Sequence, residues 1–141
     1  MEGKEFFTLA QKLTQMRTEP ALRSAVSRAY YAAFHCCIKL LTELGFKFSK
    51  DASAHAKVAA YLNNANIIAI KDVADALSYL RKRRNFADYD LASKEFQDHL
   101  ACQGDLIRAH AVIAQIEKYS HEPLRTQLCN GLNNYHAKIN P

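Results

Sequence analysis

A chain of 141 residues with four glycines and three prolines can bury a real core, and it reads as one all-α domain over 1–141. Its net charge of +5 suits an anionic partner without naming one. The composition also sets several classes aside. Cys36, Cys37, Cys102 and Cys129 form no C-x-x-C pair and read as reduced thiols of a cytoplasmic protein, with no metal site expected. No glycine-rich loop follows a strand, so no nucleotide cofactor is expected.

Phe6, Leu9, Ala10, Leu13 and Met16 recur at helical spacing and predict a first helix, stopped by Thr18-Glu19-Pro20. Pro20 suits the first turn of a second helix capped by Thr18 or Glu19, which runs to about Leu44, where Gly45 supplies the stop. Leu22, Val26, Ala29, Ala33, Leu40 and Leu44 form its apolar stripe, widened by Tyr30, Phe34, Ile38 and Leu41, so this helix belongs at the centre of the bundle. His35, Lys39 and Glu43 interrupt the region and exclude a membrane span, and Met1 to Thr8 is too charged for a signal peptide. Asp51-Ala52-Ser53 opens a third helix through Leu62, and a fourth begins near Asn66. A fifth runs from about Ser93 to Tyr119, and a sixth starts at Pro123 and frays after Gly131. Nothing reads as a strand. The fold class is an antiparallel up-and-down bundle of five to six helices.

The fourth helix carries the first chemical signal. Ile70, Val73, Leu77 and Leu80 define its inward face, and the next position four residues on is Arg84, then Asp88. An arginine in register with leucines needs a partner or an anionic ligand. Asp88 is spaced to pair with it, and a structural ion pair tying helix to loop is the reading these residues favour by themselves. Lys82 and Arg83 fall on other faces and read as a solvated helix end.

The second helix offers a matching polar line. Ser24, Arg28, Tyr31 and His35 follow one another at intervals of four, three and four residues, so they share a narrow stripe. His35 and Tyr31 can be ordinary core hydrogen-bonding groups. Alternatively, the two helices frame a cleft with Arg28, Arg84, His35, Asp88 and Tyr89, where paired arginines suit phosphate.

The segments Ser24-Ala25-Val26-Ser27-Arg28-Ala29-Tyr30-Tyr31-Ala32-Ala33-Phe34-His35 and Arg84-Asn85-Phe86-Ala87-Asp88-Tyr89, with His55, Val58 and Leu62 between them, resemble the HEPN domain family. The likeness is to its small stand-alone bacterial and archaeal members and covers roughly Leu22 to Phe96. It implies a helical bundle, commonly a homodimer. Many such proteins are metal-independent ribonucleases, some of them toxins partnered with a nucleotidyltransferase-type antitoxin. The family's catalytic motif is an arginine, four to six intervening residues, then a histidine. Arginine stabilises the phosphorane charge and histidine moves the proton. Arg84 and Asn85 match the start of that motif, but Tyr89, Asp90 and Leu91 stand where the histidine belongs. The catalytic candidates are therefore Arg84, Asn85 and Tyr89, and the phosphate-binding or structural polar cluster is Arg28, Tyr31, His35 and Asp88. The expected function is a dimeric, non-catalytic interaction or nucleotide/RNA-binding module, partnered with a nucleotidyltransferase. The alternative is a metal-independent ribonuclease toxin acting through Arg84.

Overall fold

The hydroxyl of Thr18 accepts from the Ala21 amide and Pro20 lies in the first turn, so both helix-start signals act on α2, Glu19–Glu43. Its far end closes on Gly45, whose φ of +102° is the left-handed conformation that stops a helix. There the amide of Phe46 donates to Leu41 O and that of Gly45 to Thr42 O, while the Phe46 ring is buried. The computed structural model describes all of residues 1–141: six α-helices and no strand.

Around α2 lie α1 (Lys4–Gln15), α3 (Ser53–Asn63), α4 (Ile68–Tyr89) and α5 (His99–Tyr119), all in contact with it. Helix α6 (Leu124–Ile139) packs against α3 and α5. The main core gathers Ala29, Tyr30, Phe34, Cys37, Leu41, Leu62, Ile70, Leu77 and Leu80 with the inner faces of α5 and α6. A second, smaller core of Leu22, Val26, Ala87, Phe96 and Cys102 lies where α2, α4 and α5 meet the 90–98 loop. No helix is long and apolar enough to cross a membrane.

Three helix boundaries differ from the sequence expectation. Helix α4 starts at Ile68 because Asn66 takes a left-handed φ of +59°. Helix α5 starts at His99, where the Asp98 carboxylate accepts from the Leu100 and Ala101 amides. The residues before it make a 3-10 turn, Glu95–Gln97, that drops Phe96 into the smaller core. Helix α6 does not fray after Gly131 but continues to Ile139. Gly131 lies against the backbone of Ala65, where a Cβ would collide with the carbonyl oxygen. The missing side chain lets Leu128 and Leu132 bury completely on either side of it, each contributing on the order of 2 kcal/mol.

Candidate functional site

Continuing α2's second apolar line backwards from Tyr30 by three and four residues gives Ser27 and Arg23, and both are buried. Arg23 closes the end of α4. Its Nη1 donates to the carbonyls of Phe86, Ala87 and Asp90 at 3.2, 2.9 and 3.0 Å. Its Nη2 donates to Ser93 O at 2.8 Å and pairs with Glu19 at 3.2 Å. One guanidinium thus gathers the carbonyls of the last turn of α4 and the following loop, those of Phe86 and Asp90 also accepting from the Asp90 and Ser93 amides.

Arg83 overturns the expectation of a solvated helix end. It is only 8 % exposed, its Nε donates to Asp105 Oδ2 at 2.8 Å, and Glu95 approaches at 3.4 Å. Burial raises the Asp105 carboxyl above its ordinary range, and the hydrogen bond and charge of Arg83 oppose that shift. Arg23 and Arg83 both lie over the Phe96 ring, with the guanidinium carbons 4.8 and 4.7 Å from its centroid. Lys82 remains exposed, as expected.

This clamp fixes the last turn of α4 against α2, and with it Arg84. The expected pair forms: Arg84 Nε lies 3.0 Å from Asp88 Oδ2, a charge contact whose angle falls short of a hydrogen bond. Ser27 Oγ donates to the same carboxylate oxygen at 3.0 Å, so Asp88 joins α4 to α2. Arg84 Nη1 donates to Asn85 Oδ1 at 2.9 Å, and its guanidinium lies 5.0 Å from the Tyr31 ring and 5.3 Å from the Tyr89 ring. Arg28 also lies over Tyr31, 5.2 Å away, and rests 5.0 Å from Phe6 of α1. Tyr89, at 73 % exposure, opens one end of this row to water. Arg28 has no ion pair, so its donors are available to a ligand.

The structure therefore brings together Arg28, Tyr31, Arg84, Asn85, Asp88 and Tyr89. His35 joins them at the Phe6 end, its ring stacked on Tyr31 with 6.1 Å between centroids. That imidazole leans towards Phe6, 5.9 Å between centroids, and Gly3 approaches its Cβ. Burial, then the charge of Arg28, holds it below the ordinary imidazole range, and Arg84 exerts no comparable influence. A second imidazole, His55 of α3, lies edge-on to Tyr31 with 6.1 Å between ring centroids. It stacks on Phe34 at 4.2 Å and shares a 2.5 Å hydrogen bond with the Tyr30 hydroxyl. Burial, followed by Arg81, Arg84 and His35, keeps it below the usual value. The sequence reading placed His55 in the family pattern without giving it a role.

Compared with known proteins, the chain matches no family model, no curated protein and no solved structure.

Proposed function

We propose that this chain is a HEPN-like, dimeric and non-catalytic binding module for single-stranded RNA or nucleotides, working with a nucleotidyltransferase-type partner. The observation that carries the binding part is the alternating row Arg28, Tyr31, Arg84, Tyr89 on one face of α2 and α4. Aromatic rings offer stacking platforms for bases, and guanidinium groups between them neutralise phosphates. Arg84 is already held by Asp88 and Asn85, which suits it to orient the two tyrosines. Arg28 supplies the free charge. Dimerisation follows from the resemblance and is supported by the apolar side chains of Phe86 and Leu91, both exposed at the end of α4. The nucleotidyltransferase-type partner rests on the resemblance alone.

A second reading, a metal-independent ribonuclease toxin using Arg84, is favoured by His55, whose ring lies 6.1 Å from Tyr31, the ring that Arg84 also faces. Incubation of labelled single-stranded RNAs with the purified protein and with Arg84→Ala separates the two. The binding module retains the RNAs on a filter without cutting them. Cleavage that disappears with Arg84 makes the protein a nuclease, and neither binding nor cleavage over a broad panel removes both readings. Sedimentation equilibrium tests the dimer, and a monomer at tens of micromolar contradicts it.

A further inference from the structure

Behind the tyrosine row, between α3 and α4, lies a cavity of about 370 Å³. That is within the range of small-ligand sites. Its polar lining consists of Tyr30, His55, Ser78, Arg81, Lys82 and Asn85, and no acidic residue borders it. Neither Arg81 nor Lys82 has an ion-pair partner in the fold. Two cations facing a concave space with no carboxylate to balance them call for an anion.

The neutral groups point to the same chemistry. The Tyr30 hydroxyl has Nδ1 of His55 as its one hydrogen-bond partner. Donating to it leaves the ring proton on Nε2, so the imidazole offers an N–H. Asn85 accepts from Arg84 through Oδ1, which leaves its amide NH2 free. Together with the Ser78 hydroxyl, the cavity presents donors of several geometries and two positive charges. A phosphomonoester, with three terminal oxygens and close to two negative charges at neutral pH, matches that set. A carboxylate, with two oxygens and one charge, would leave donors unused.

We propose that this cavity is a binding site for a phosphomonoester, held by Arg81 and Lys82 with Ser78, Asn85 and His55 donating to its oxygens. Asn85 lines the cavity and bonds Arg84, so the site abuts the tyrosine row. On the RNA-binding reading above, on which this extension rests, the occupant is the terminal phosphate of a strand whose bases lie along Tyr31 and Tyr89.

The test uses the full chain and inorganic phosphate as the first probe, with the His55 imidazole followed by NMR. Phosphate shifts the His55 signals saturably in the parent protein and in Arg28→Gln. In the Arg81→Gln/Lys82→Gln double variant the apparent affinity falls roughly tenfold or more. Both replaced side chains lack ion pairs, so the variant keeps the fold, which a thermal melt verifies. Hexanucleotides with a 5′-phosphate, a 3′-phosphate or two hydroxyl ends form the second arm, and one phosphorylated form binds roughly tenfold better than the hydroxyl form. No phosphate-dependent change at His55, or one undiminished in the double variant, overturns the cavity. RNA binding that ignores terminal phosphates, without phosphate effects at His55, sinks the cavity and leaves the tyrosine row intact. Phosphate binding at His55 without RNA binding does the reverse.

Discussion

Arg83 and Arg84 are neighbours in the chain and end in opposite circumstances. Arg83 turns under α4, bonds Asp105 on α5 and packs on Phe96. Arg84 turns towards α2, where its guanidinium faces Tyr31 and Tyr89 and its charge is met by Asp88 at the surface. One arginine is mostly buried against Asp105, and the other belongs to a row whose Tyr89 end is open to water. A helical turn advances 3.6 residues, so an apolar face continued beyond Leu80 falls between positions 83 and 84 and divides them. The comparison gives the first arginine a structural role, and on the proposed reading the second stands in the row that would meet a ligand.

The largest effect expected is on the buried side. Asp105→Ala leaves the buried Arg83 with only the exposed Glu95 as partner and lowers the unfolding free energy by about 3 kcal/mol in denaturant titration. Asp88→Ala, at a partly exposed pair that also accepts from Ser27, lowers it by about 1 kcal/mol. Equal losses would erase the distinction between the two arginines. Next in size is Arg23→Met, which strips the carbonyls closing α4 of a charged donor. A loss of about 2–3 kcal/mol, with faster amide exchange over residues 90–93, is the expected result. An unchanged melting temperature would mean that water replaces the guanidinium there.

On the exposed side the effect moves from stability to affinity. Tyr31→Ala removes the ring shared by Arg28 and Arg84, and single-stranded RNA affinity falls by about 1–3 kcal/mol of binding free energy, read by fluorescence anisotropy. Asp105→Ala, measured where it is folded, leaves that affinity near the parent value. The smallest effect concerns pH. His55 and His35 both titrate below the ordinary imidazole value in the folded chain. As pH falls, the unfolded chain takes up those protons first, so the stability present above about pH 6.5 is progressively lost below it. Comparing parent and His55→Gln between pH 7.5 and pH 5 isolates one share of that loss: the variant declines less steeply. Parallel curves would show that His55 does not contribute.

How much of this was legible depends on where the partner of each residue lies. Helix periodicity located α1, α2 and α3, and i, i+4 spacing located the Arg84–Asp88 pair, because these are local facts. Arg83 was misread because Asp105 is 22 positions away and the run Arg81 to Arg84 looks like a wet helix end. A signal did exist: Asp105 falls three and four residues from the buried Cys102 and Ala109, and an acid on an apolar stripe implies a buried base. Arg23 was legible by the same rule, as the next step of the line through Tyr30 and Ser27. The extent of α6 was not, since nothing local says that Gly131 sits against Ala65. Arg28, Tyr31 and Arg84 come together, with His35 stacked on Tyr31 and leaning to Phe6 of α1, but they line a surface row and not a cavity.

The most direct test of the central assignment is the salt dependence of RNA binding by the parent protein and by Arg28→Gln. An arginine that neutralises one phosphate contributes about 0.7 to the slope of log K against log salt for a single strand. The account predicts that Arg28→Gln weakens binding and flattens that slope by about 0.7, with the melting temperature unchanged. A variant with the parent's affinity and slope would contradict it.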